Sequence, residues 1–129
     1  MNKKDLLLEY IKLNVAPILT DFRITNTIKE IKKISANTGV GNLIGHYEGI
    51  EYKPPKWLEE ILNTNEASII LIDKIDKITK EEQEKFIELL KYRKISTFEL
   101  PKNCVIILTA DKINKDTINE KIYSLVALI

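Results

Sequence analysis

Residues Ser68–Asp76 read Ser-Ile-Ile-Leu-Ile-Asp-Lys-Ile-Asp, so an apolar run meets one carboxylate and a second comes three positions later. A second apolar run, Val105–Leu108, ends in Thr109-Ala110-Asp111. Carboxylates at the ends of buried strands are what a hydrolytic site uses to hold a divalent cation or to polarise water. Lys74, directly after Asp73, argues against both uses, because an ammonium cannot accept a proton and repels a metal ion. Asp73 and Asp76 are also too few for a hard cation, which takes roughly six to eight oxygens. The simpler reading makes Asp73 a strand end and Asp76 part of a polar turn. Lys74 is then expected to pair with Asp73 or Asp111 where an ion would otherwise sit. No metal site and no catalytic residue is assigned.

Other reactive side chains are isolated. His46 is the sole histidine, sits after a glycine, and has no serine or cysteine with which to form a triad. Cys104 is the sole cysteine and opens an apolar strand, so a buried, inert thiol is expected. Lys29, Lys32 and Lys33 fall close together and suit phosphate contacts, although such a run is usually a solvated face. Trp57 comes after Pro54-Pro55 and reads as a core anchor. The chain contains no Gly-x-x-x-x-Gly-Lys-Ser/Thr loop to cradle phosphates.

The elements that must carry these groups can be read from period and punctuation. Asn2 is placed to cap a first helix, with Asp5 in its opening turn and Leu6, Leu7, Tyr10, Ile11 and Leu13 as its apolar stripe. After Pro17, Ile18–Ile24 reads as a strand. Thr27 and Glu30 have capping-box spacing, and Ile28, Ile31 and Ile34 repeat at helical period, which predicts a helix over Ile28–Ala36. Glycine-rich Thr38–Gly49 reads as a loop, and Glu51–Lys53 as a brief extended piece. Pro54-Pro55 opens a helix containing Trp57, Leu58, Ile61 and Leu62.

Ile69–Asp73 and Cys104–Thr109 read as strands covered on both faces, as in a parallel sheet. Thr79 and Glu82 predict a second capping box, before an amphipathic helix with Phe86, Ile87 and Leu90. Ile95–Leu100 reads as half of a hairpin, Lys115–Ile122 as a helix and Ser124–Ile129 as a closing strand. Alternating strands and helices predict one α/β domain over residues 1–129, a three-layer sandwich around a small, mainly parallel sheet. Ligands of such sheets bind at the carboxyl ends of the strands, where Asp73, Lys74, Asp76, Thr109 and Asp111 fall.

Composition narrows the classes. With 129 residues the chain can bury a core without disulfides. Hydrophobic residues make up 44% and charged residues 30%, which excludes wholesale disorder. A net charge of +1 gives no broad attraction to nucleic acid or an anionic membrane. No membrane span or signal peptide is read, so a cytoplasmic location is expected.

Gln83–Lys112, QEKFIELLKYRKISTFELPKNCVIILTADK, resembles the MoxR-like branch of the AAA+ ATPases, a P-loop NTPase group. In that branch the acidic strand leads into a helix, a basic turn, a short hairpin ending in Leu-Pro and a strand ending near Asn. Arg93-Lys94-Ile95 and Leu100-Pro101 match in residue and spacing. Gly45–Leu58 is similar to the branch's segment with a Gly turn and a Pro-Pro-x-Trp-Leu helix start. Phe22-Arg23-Ile24 is similar to the end of its second strand.

The departures from that pattern bear on function. In the register of the resemblance, Lys3-Lys4-Asp5 stand where the phosphate loop ends, so the first strand and most of the loop are expected to be missing. Lys74 stands in place of the acidic strand's Glu, Asp111 near the sensor Asn, and Leu125 near the arginine finger. In the family the first strand lies between the fourth and fifth. Without it, Ser124–Ile129 is expected either to pair directly with Val105–Leu108 or to leave an edge open to another chain.

The resemblance therefore implies a pseudo-ATPase that binds a protein partner, or itself, and does not hydrolyse ATP alone. Arg93, Lys94, Ile95, Phe98 and Leu100 are its partner-binding residues, since the family's hairpin projects toward substrate. No cofactor is expected, and ATP with Mg enters only if a partner supplies the phosphate loop. The alternatives are a nucleic-acid-binding accessory protein using Lys29, Lys32, Lys33, Arg93 and Lys94, or one part of a split ATPase.

Overall fold

A computed structural model describes residues 2–22, 31–35, 46–53, 56–62, 68–95 and 98–129. Among the described residues the helices are α1 (Lys3–Leu13), α2 (Lys56–Leu62), α3 (Lys80–Gln83), α4 (Ile87–Tyr92) and α5 (Glu120–Tyr123). The strands are β1 (Ile18–Thr20), β2 (Ile31–Ser35), β3 (His46–Glu48), β4 (Glu51–Lys53), β5 (Ser68–Asp73), β6 (Lys94–Ile95), β7 (Phe98–Glu99), β8 (Cys104–Thr109) and β9 (Ala127–Leu128). Five of them form one parallel sheet in the order β2-β5-β8-β1-β9. β3–β4 and β6–β7 form separate antiparallel hairpins.

The central strands are apolar because both their faces are covered. Ile18, Ile69, Leu71, Val105 and Ile107 turn to one face and bury Leu7 of α1. Leu19, Ile70, Ile72, Ile106 and Leu108 turn to the other, against Leu58 of α2, Phe86, Leu89 and Leu90 around α4, and Ile122 of α5. Helices thus sandwich the sheet, and the fold is α/β as the alternation predicts. The end caps are equally legible. Asn2 Oδ1 accepts the Asp5 N–H at 2.8 Å. Thr79 and Glu82 form the expected reciprocal box, at 3.1 Å and 3.2 Å.

Several expectations are corrected. The sheet has no gap beside β8: β1 fills that place, with Ile18 opposite Ile107 on one side and Ala127 on the other. Ser124–Ile129 therefore contributes β9 to the edge of β1 and does not pair with Val105–Leu108, whose second edge β1 already occupies. Lys3, Lys4 and Asp5 open α1, upstream of that strand.

The strand beginning at Ile18 ends at Thr20, because Thr20 Oγ1 takes the Phe22 N–H at 3.0 Å and turns the chain. Arg23 and Ile24 lie outside the described residues. Where a helix was expected, Ile31–Ser35 is strand, paired with β5 along all five residues; residues 28–30 and 36 are not described. Within Thr38–Gly49, His46–Glu48 forms β3, and Gly49 at φ 65° begins the turn into β4; residues 38–45 are not described.

The helix expected over Lys115–Ile122 is confined to Glu120–Tyr123. Asn114 is the reason: its Oδ1 accepts the Asp116 and Thr117 N–H groups at 2.8 Å and 3.1 Å, holding a side-chain turn instead.

Candidate functional site

The carboxyl edge of the sheet gathers oxygen-bearing residues at one level. Thr20 of β1 lies opposite Thr109 of β8, and Ser35 of β2 lies opposite Asp73 of β5. Thr109 Oγ1 donates to Asp73 Oδ1 at 2.6 Å and accepts the Lys74 N–H at 3.1 Å. One buried hydroxyl therefore fixes both the carboxylate and the backbone after it. The bond holds Lys74 at φ 59°, a left-handed conformation that a side chain with a Cβ adopts at a cost. Ile75, fully buried, then anchors a 3-10 turn, Ile75–Lys77.

Asp76 and Asp111 are bound into the same edge by other partners. Asp76 Oδ2 accepts the Lys112 N–H at 3.1 Å, while its Oδ1 is buried with no hydrogen-bond partner among the described residues. Asp111 pairs with Lys77 at 3.4 Å. Among the described residues no salt bridge joins Lys74 to Asp73 or Asp111: Thr109 donates to Asp73, Lys77 pairs with Asp111, and Lys74 is exposed. After β1, Asp21 is held by Lys3. Among the described residues, no three His, Cys, Asp or Glu side chains come together as metal ligands would.

Gln83 organises this edge from beneath, and no sequence pattern points to it. Its side chain is completely buried. Nε2 donates toward the carbonyls of Ile75 and Ile78, both at 3.2 Å, and of Thr117 at 2.7 Å. Oε1 accepts the Asn119 N–H at 2.8 Å, and Asn119 Nδ2 returns a bond to the Lys80 carbonyl at 2.8 Å. The 3-10 turn after β5 is thereby tied to the segment after β8. Buried backbone groups must be satisfied, and this one amide shares its two N–H hydrogens among three carbonyls while its oxygen takes a fourth group.

The residues expected to meet a partner divide into two sets. Ile95 and Leu100 are buried in the chain's own core. Arg93 ends α4 at φ 55° and turns its guanidinium inward, donating to the carbonyls of Pro101 at 3.0 Å and Cys104 at 2.6 Å. Lys94 and Phe98 are half-buried. Phe98 stacks on Tyr52 at 5.8 Å, which stacks on Tyr47 at 5.3 Å, so the two hairpins share one aromatic row. Burial pushes the Tyr52 hydroxyl pKa up, with Tyr47 and Glu88 adding to the shift. Tyr47 and Tyr92 are exposed, and the Lys91 and Lys94 ammonium groups lie 5.4 Å and 5.8 Å from the Tyr92 ring.

Of the remaining candidates, Lys29 lies outside the described residues. Lys32 and Lys33 lie in β2, His46 in β3 and Trp57 in α2. Cys104 is buried as expected, and burial pushes its thiol pKa up. No helix among the described residues is long and apolar enough to cross a membrane. Compared with known proteins, the chain matches no family model and no curated protein.

Proposed function

We propose that this chain is a non-catalytic, AAA+-like binding module, a pseudo-ATPase whose hairpin surface engages a protein partner. The observation that carries the reading is the connection leaving β1. That strand lies between β8 and β9; in the AAA+-like reading this is the first strand's place, in exchange for the register that made Phe22-Arg23-Ile24 the end of a second strand, and a phosphate loop would come next. Residues 21–30, Asp-Phe-Arg-Ile-Thr-Asn-Thr-Ile-Lys-Glu, are all that separate it from β2, and they contain no glycine and no Lys-Ser/Thr pair. Parallel strands are ordinarily joined by a dozen or more residues, usually through a helix. A turn of backbone amides around a triphosphate needs glycines and a Lys-Ser/Thr pair, and this connection has neither.

The carboxyl edge supports the same reading. Asp73 is engaged by Thr109, and the residue after it is a lysine, which cannot act as a base toward water. Partner contact falls to the hairpin surface, through exposed Tyr47 and Tyr92 and half-buried Lys94 and Phe98. The sheet edges suit this role less. β2 carries Lys32 and Lys33, residues that discourage strand addition, and β9 is two residues long.

Light scattering and co-purification of the Tyr47→Ala/Tyr92→Ala double variant test the proposal. A self-complex or partner complex that survives in wild type and is lost in the variant is expected, with unchanged thermal stability. A complex indifferent to both tyrosines, together with a salt-dependent gel shift abolished by Lys32→Glu/Lys33→Glu, would favour the nucleic-acid reading instead.

A further inference from the structure

We infer that Gln83 is a latch that makes the turn after β5 and the docking of β9 a single cooperative unit. The inference does not depend on the proposed function. Three observations meet in it. First, the Gln83 side chain, wholly buried, bonds the carbonyls of Ile75 and Ile78 on one side and Thr117 O and Asn119 N–H on the other. Second, Ile75 from the turn and Ile118 and Ile122 from the later segment lie in one buried cluster, with Leu125 and Val126 packed against it. Third, the chain runs from Asn119 through α5 into β9, which is held on β1 by the bonds from Ala127 N–H to Pro17 O at 2.8 Å and Ile129 N–H to Leu19 O at 3.0 Å.

A two-residue strand holds its place weakly by itself, since so few hydrogen bonds and so little apolar area fix it. The Gln83 network supplies the missing order, because freeing the segment leaves buried carbonyls and an amide unpaired, which low surrounding polarity makes costly. The coupling is reciprocal. Loosening β9 must loosen the turn that carries Asp76, and disturbing the network must free β9. The edge of β1 and the carboxyl-edge residues are therefore two ends of one element, and whatever displaces β9 is felt at Asp76.

Hydrogen exchange of the full chain tests this from both ends. Ala127→Pro removes the N–H that bonds Pro17 and perturbs only β9 directly. The latch predicts that the amides of Lys77, Ile78 and Asn119 then exchange at least about tenfold faster, while those of Ile70 and Ile106 in the central strands do not. Gln83→Met, which keeps the side chain's bulk, is expected to accelerate the Ala127 and Ile129 amides by a similar factor. If Gln83→Met fails to fold, Ala127→Pro decides alone, because its readout at Lys77 and Ile78 lies at the far end of the Gln83 network. Acceleration confined to β9 in Ala127→Pro, with the turn still protected, would overturn the latch.

Discussion

Thr109 holds the carboxyl edge together through one hydroxyl that both donates and accepts. Thr109→Val keeps its shape and removes both bonds, leaving the Lys74 N–H and one Asp73 oxygen without that partner. A loss of about 1–3 kcal/mol is expected in urea unfolding, the usual cost of unpairing buried polar groups. Lys74→Gly acts in the opposite direction. Glycine adopts the left-handed conformation at φ 59° freely, so a gain of about 1 kcal/mol is expected from the same measurement. Cys104 gives a pH signature. Burial raises its folded pKa above the ordinary 9.0, so from pH 9 upward the unfolded chain releases its proton first. Stability is then full below pH 9 and declines as pH rises toward the folded value. Unfolding curves of Cys104→Ala are expected to lack that part of the decline.

Elements whose reason is local were legible in the sequence, and those decided by distant pairing were not. β5 and β8 announce themselves as unbroken apolar runs, and the Thr79–Glu82 box as a four-residue spacing. Thr79→Ala is accordingly expected to cost about 1 kcal/mol by thermal denaturation, the ordinary worth of a cap. β2 misleads because Ile31 and Ile34 fit a helical stripe as well as a strand. Its pairing with β5, a tertiary fact, decides the outcome. Asn114 likewise converts an apparent helix start into a turn by bonding its own neighbours. Asp73, Thr109 and Asp111 were readable as strand ends, but their partners were not. Gln83 carries no pattern at all, since a lone amide in a helix looks the same whether buried or solvated. The sequence suggests Arg93 as a partner contact and gives no sign that its guanidinium also caps carbonyls within the chain.

At the scale of the molecule, composition and alternation identified the α/β class, while the strand order required the structure. A three-residue strand such as β1 is too short to signal its place, and only its two neighbours reveal that it completes the sheet. Completion changes the physical argument about nucleotide. The proposed reading rests on the connection after β1, whose sequence over residues 21–30 holds no glycine and no Lys-Ser/Thr pair. Calorimetric titration of the purified chain with ATP and magnesium, with a phosphate-release assay on the same sample, tests that claim most directly. No saturable heat and no turnover are predicted. Saturable binding that Asp73→Asn weakens, or phosphate release by the solitary chain, would contradict it.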